Sequence, residues 1–97
     1  MASPRSPKAL GTVLDAVIDT LGIRSELDGA RTVETWAALA GPRINSVTET
    51  AWVRGGRLFV KVTSAAWRHE LHLNRRAWRD RLNAELGAEL VDEIVFR

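Results

Sequence analysis

Eight of the fourteen basic residues in this chain fall between Arg54 and Arg81: Arg54, Arg57, Lys61, Arg68, Arg75, Arg76, Arg79 and Arg81. Two acids, Glu70 and Asp80, share that stretch, so it carries a local charge of +6 in a chain whose net charge is +2, which leaves −4 for the remainder. The chemistry this offers is neutralisation of a polyanion on one side of a small domain. Twelve of the fourteen cations are arginine, whose planar fork suits phosphate and can stack on a base. A GC-rich coding sequence also favours arginine over lysine, but it does not account for the clustering. The acids Asp15, Asp19, Glu26, Asp28 and Glu34 lie outside this stretch, on the opposite half of the sequence, and are left for solvent or a protein partner.

Other chemistries find little support. There is no cysteine, which excludes disulfides and thiolate metal sites and fits a reducing compartment. His69 and His72 share a helical face, but they lack a third ligand, so no metal is expected. No glycine-rich loop leads into Lys-Ser/Thr, and no nucleophile has a base at a readable spacing. The expectation is a protein without catalytic residues and without a cofactor.

Four tryptophans are the remaining candidates. Trp36 and Trp78 lie on apolar helix faces and read as core. Trp67, in the first turn after Ser64, is either core or a half-exposed anchor for a partner. Trp52, beside a Gly-Gly turn, is either a sheet-packing residue or an exposed ring for a partner or an unpaired base. Phe59 shares a strand face with Lys61 and is a second stacking candidate.

The elements that must position these residues follow from hydrophobic period. Residues 1–7 contain two prolines and two serines and read as a flexible tail before a single domain over 8–97. Leu10, Val13, Leu14, Val17, Ile18 and Leu21 have the spacing of an amphipathic helix over Lys8 to Leu21, closed by Gly22. A second helix spans Ser25 to Gly41, Gly41-Pro42 breaks it, and Arg43 to Val47 forms a further turn. The period then drops to two. Thr50–Val53, Gly55-Gly56 and Leu58–Val62 read as a hairpin, with Leu58, Val60 and Val62 on one face and Phe59 and Lys61 on the other. Ser64 caps one long helix from Ala65 to about Leu86, ended by Gly87. Leu90 to Phe96 reads as a third strand at an edge.

The order is α-α-β-β-α-β: a small α+β domain with a three-stranded sheet and its helices packed on one face. On a continuous helix, at about 100° per residue, Arg68, His72, Arg75, Arg76 and Arg79 share roughly a third of the circumference, beside an apolar stripe of Trp67, Leu71, Trp78 and Leu82. If the hairpin lies against this helix, Arg54, Arg57 and Lys61 join the ridge in one patch. A chain of 97 residues supports one core and has no apolar run near the ~18 residues that span a membrane. Its N-terminus lacks a signal-peptide core, so a cytoplasmic location is expected.

The run of Trp36 then Gly41, Leu58-Phe59-Val60-Lys61-Val62, Ser64-Ala65-Ala66-Trp67 with Glu70-Leu71, Leu82-Asn83 with Leu86-Gly87, and a closing Ile94-Val95-Phe96-Arg97 resembles the DciA family over about Leu10 to Arg97. The Ser-Ala-Ala-Trp element followed by Glu-Leu is its most specific part. The resemblance implies a KH-like arrangement of helices and sheet. It also implies a role as operator or loader of the bacterial replicative helicase: binding the DnaB-type hexamer, helping to set it on single-stranded DNA, and binding DNA without an ATPase motif. The missing phosphate loop agrees with this. Relatives often add a disordered extension, for which only the short N-terminal tail is available here. The Gly-x-x-Gly clamp of KH domains has no counterpart, so that phosphate contact does not carry over. Trp67 is the motif residue that transfers, as support for a helix start or as part of a helicase contact.

The expected function is a DNA-binding adaptor that recruits or loads the replicative helicase. Arg54, Arg57, Lys61, Arg68, Arg75, Arg76 and Arg79 would neutralise phosphates, and Trp67 and Trp52 would meet the protein partner. The alternatives are a KH-like RNA-binding module and a pure protein-interaction module whose basic patch meets an acidic tail.

Overall fold

The computed structural model describes residues 24–97. The expected tail and the expected helix over Lys8 to Leu21 lie outside the described residues. The elements are α1 (Arg24–Ser46), β1 (Thr48–Arg54), β2 (Arg57–Val62), α2 (Ala65–Leu73), α3 (Arg75–Leu86) and β3 (Glu93–Phe96).

Within α1 the expected break is present. Gly41 takes φ 83°, ψ 176°, and Pro42, which has no N–H to leave unpaired, opens the last turn. The Asn45 amide reaches back across the break and donates to the Ala37 carbonyl at 2.8 Å. Trp36 is the buried centre of this helix, edge-on to Trp78 with ring centroids 5.3 Å apart and tilted against Phe96 at 5.7 Å. Its Nε1 is buried without an acceptor among the described residues, at a cost of about 1–3 kcal/mol that the ring's packing offsets.

The hairpin turn is a two-residue loop in which Gly55 and Gly56 have φ of 59° and 75°. These are the angles a type I′ turn requires, and they match the twist of the strands it joins. The sheet order is β1-β2-β3, with β1–β2 antiparallel and β2–β3 parallel. A parallel neighbour needs a crossover, and α2 and α3 supply it. Leu58, Val60 and Val62 of β2 and Ile94 and Phe96 of β3 are buried, as are Leu71, Leu82 and Leu86 of the crossover helices. The helices therefore cover one face of the sheet, and the face carrying Trp52, Phe59, Lys61 and Val95 is left open among the described elements.

The hairpin strands reach slightly beyond the expected Thr50–Val53 and Leu58–Val62, and two larger differences from expectation bear on the site. The helix expected from Ala65 to Leu86 is two helices, divided at Asn74, which has φ −103° and ψ 17°. Its N–H reaches the carbonyls of Glu70 (3.3 Å) and Leu71 (3.2 Å), and its side-chain amide donates to Glu70 at 3.0 Å. A short amide that competes for the last carbonyls ends a helix, while the apolar spacing on either side runs on undisturbed. The ends are as expected: the Trp67 N–H donates to Ser64 Oγ at 3.3 Å, and Gly87 closes α3 with φ 73°. The third strand starts at Glu93 instead of Leu90. The Asn83 side chain occupies the backbone of Val91 first, donating to its carbonyl at 2.8 Å and accepting from its N–H at 3.0 Å. The Asp92 N–H then donates to the Gly56 carbonyl at 2.8 Å, which ties the strand entry to the hairpin turn.

Candidate nucleic-acid interface

Arg75, Arg76 and Arg79 stand in the first turns of α3, and Arg57 opens β2 immediately after the Gly-Gly turn. Because Asp92 is hydrogen-bonded to the turn and α3 packs over β3, these four arginines line one open groove of about 390 Å³ with Gly55, Asp92, Glu93 and Ile94. The groove lies at the N-terminus of α3, whose first turn holds no acid, so the helix macrodipole adds to the positive potential there.

The guanidinium groups are differently occupied. Arg57 Nε is 3.3 Å from a Glu93 carboxylate oxygen. Arg79 pairs with its neighbour Asp80 at 2.9 Å and lies 3.5 Å from the Asp92 carbonyl. Arg75 donates to the His72 carbonyl at 3.0 Å, and its Nη1 is 3.4 Å from His72 Nε2. Neither Arg75 nor Arg76 has a carboxylate partner among the described residues. The Arg57–Glu93 pair is solvent-exposed on both sides and the Arg79–Asp80 pair on its carboxylate side. Such pairs contribute about 0–1 kcal/mol each, so a phosphate can exchange for either carboxylate at little expense.

The other expected cations lie elsewhere. Lys61 is on the open sheet face, 2.9 Å from Glu49, the residue at the bulge between Thr48 and Thr50. Arg54 pairs with Arg57 across the turn but lines a different hollow, an apolar crevice between α1 and β1. Arg68 belongs to α2, is half-buried and does not line the groove. The break at Asn74 leaves Arg68 apart from the three arginines of α3, while His72 stays in contact with Arg75 across it. Sequence reasoning did not find Arg97 as a site residue. Its guanidinium lies 4.8 Å from the Phe59 ring centroid, an arrangement that follows from the parallel pairing of β2 with β3.

The aromatic candidates divide three ways. Trp36 is core. Trp67 and Trp78 are both half-buried and line a hollow of about 300 Å³ at the elbow between α2 and α3, where the Arg81 guanidinium sits 4.7 Å from the Trp78 centroid. Leu73, on the last turn of α2, is 61% exposed. Trp52 lies on the open face, stacked on Phe59 with centroids 5.4 Å apart and planes 10° apart. No group of three metal-ligating side chains occurs among the described residues, and no helix there is long and apolar enough to cross a membrane.

Comparison with known proteins bears on this arrangement. A curated relative from Corynebacterium glutamicum (strain R), named "UPF0232 protein", is 24% identical over 90 residues. The alignment covers 93% of this chain and 51% of the relative, so the chain spans about half the relative's length. The model of the family described as "Dna[CI] antecedent, DciA" matches residues 9–96. With nearly all of its length inside that match, this chain belongs to the DciA family.

Proposed function

We propose that this chain is a DNA-binding adaptor that recruits or loads the DnaB-type replicative helicase on single-stranded DNA, with no ATPase activity of its own. Family membership supports the helicase as partner and DNA replication as the process. The observation that carries the DNA contact is the convergence of Arg57 with Arg75, Arg76 and Arg79 in one groove at the positive end of α3. On this reading the protein works in the cytoplasm.

The groove acts by charge. A sugar–phosphate strand entering it displaces Glu93 and Asp80 from their arginines and releases its own condensed counterions. Four such contacts give an affinity for a single strand that falls with salt at a slope of about −3 on logarithmic axes. Nothing in a set of guanidinium groups facing phosphate reads base identity, so binding is tolerant of sequence. The elbow hollow of Trp67 and Trp78 is proposed as the helicase contact. It combines two half-buried aromatic rings with a cation, the combination that forms anchors in protein interfaces.

The test has two parts. The replicative helicase of the cell is captured on immobilised protein, and unwinding of a forked substrate is measured with and without the adaptor. Capture together with stimulated unwinding is expected, and absence of both overturns the reading. Competition between single-stranded DNA and RNA of matched sequence then addresses the nucleic acid, and a strong preference for RNA would replace the DNA reading with that of an RNA-binding module. Salt-sensitive capture of helicase with no measurable nucleic-acid binding would leave a pure protein-interaction module.

A further inference from the structure

The open face of the sheet carries a feature that the groove does not use. The strand register puts Trp52 opposite Phe59, and Phe59 opposite Val95, at one level across all three strands. The two rings stack nearly parallel, 10° apart. Trp52 approaches Phe59 from the β1 side and the Arg97 guanidinium from the β3 side, giving a row of indole, phenyl and guanidinium across the sheet. Phe59 is thus occupied on both sides. Trp52 stands at the end of the row on an edge strand, and it also lines the crevice of about 920 Å³ between α1 and β1. Among the described residues the row therefore ends in a half-buried indole that borders this crevice.

Charge decides what occupant suits it. Arg54, Arg57 and Lys61 alternate along the hairpin on the same face as Trp52 and Phe59, and Arg97 completes the set. Their described carboxylate partners are Glu49 and Glu93, in exposed pairs that a phosphate can replace. The Arg57–Glu93 pair also lines the groove at α3, so the groove and the open face share a border. A strand whose backbone lies in the groove can pass Arg57 and continue over the sheet. Aromatic faces among cations suit a chain that alternates planar bases with phosphates. Only an unpaired strand offers its base faces, because those of a duplex are stacked inside it.

We infer that the open sheet face is a base-stacking platform, in which Trp52 receives an unpaired base of a DNA strand whose backbone is held in the Arg57 groove. This rests on the DNA-binding reading of that groove and adds to it a preference for single strands. The groove supplies affinity for phosphates in any strand. The indole supplies the distinction between a strand with bases and one without.

The experiment is fluorescence anisotropy with three labelled probes of equal phosphate number: a thymidine single strand, an abasic strand of the same length, and a duplex. The unmodified protein is expected to bind the thymidine strand at least about fivefold more tightly than the abasic one. Trp52→Ala is expected to reduce that ratio to near one while leaving the abasic affinity unchanged. A ratio of one in the unmodified protein overturns the inference, whatever the variant's folding. So does a ratio that survives Trp52→Ala in a variant with an unchanged circular dichroism spectrum, as it would if Trp52 serves a protein contact. Failure of the groove reading looks different: the abasic strand then shows no salt-dependent binding at all.

Discussion

Along β2, Leu58, Val60 and Val62 point into the core and are at most 3% exposed, whereas Arg57, Phe59 and Lys61, each one residue away, stand on the open face. Both sets belong to the same six residues and share one backbone geometry. What differs is the layer each meets. The inner set is enclosed by Trp36, Leu71, Leu82 and Leu86, so its methyl groups have no other place to go. The outer set meets other side chains in pairs, an aromatic on an aromatic and a cation on a carboxylate, and the ion pairs are exposed and open to exchange. The strand's alternation therefore separates what holds the domain together from what it can offer to a ligand, and the separation can be tested residue by residue.

The largest effect is expected from the inner face. Leu58→Ala leaves a cavity at a fully buried site and is expected to cost about 2–5 kcal/mol in urea unfolding. Phe59→Ala, its neighbour, loses mainly a cross-strand pair and is expected to cost about 1 kcal/mol. Equal losses would mean that the open face is covered and structural. Next comes the groove. Reversing charge in Arg75→Glu with Arg79→Glu is expected to weaken single-strand binding by roughly tenfold or more at low salt and to reduce the salt slope by about 0.7 per lost contact, with the unfolding midpoint little changed. Unchanged affinity would remove the groove from the mechanism.

A smaller loss is expected at the turn that joins the two regions. A Cβ on Gly56 would lie 2.7 Å from an Asp92 carboxylate oxygen, at a φ of +75° that side chains resist. Gly56→Ala is expected to cost about 1–2 kcal/mol. Adding Asp92→Ala relieves the clash but not the backbone strain, so the double variant should recover only part of the loss. The smallest effect sharpens the outer face. Glu93→Gln releases Arg57, and is expected to change stability by less than about 1 kcal/mol while raising DNA affinity a few-fold in anisotropy. A fall in affinity would show that Arg57 needs its carboxylate to be held in position.

Much of this arrangement was legible in the chain because local chemistry wrote it. Gly55-Gly56 between two runs of period two can make little other than a tight hairpin, Gly41-Pro42 cannot continue a helix, and Ser64 offers an oxygen to the first free N–H groups after it. The features that were not legible depend on side chains replacing backbone partners. Asn74 ends α2 without disturbing the apolar spacing, and Asn83 holds Val91 from eight residues away. For the site, the density of arginine pointed to α3 and the hairpin, but which cations meet in the groove depends on that division at Asn74 and on the strand register. The pairing of Arg97 with Phe59 required knowledge that β3 runs parallel to β2, which no local pattern encodes.

That parallel pairing sets an order of assembly. Thr48 to Val62 can pair on the microsecond scale of a hairpin, but Leu58 meets Ile94 only when the long crossover segment between β2 and β3 has closed. The third strand is therefore expected to dock late in folding and to leave early in unfolding. Its contribution should show in how quickly the native protein falls apart, so Ile94→Val is expected to steepen the escape rate in stopped-flow unfolding while scarcely altering the rate of refolding.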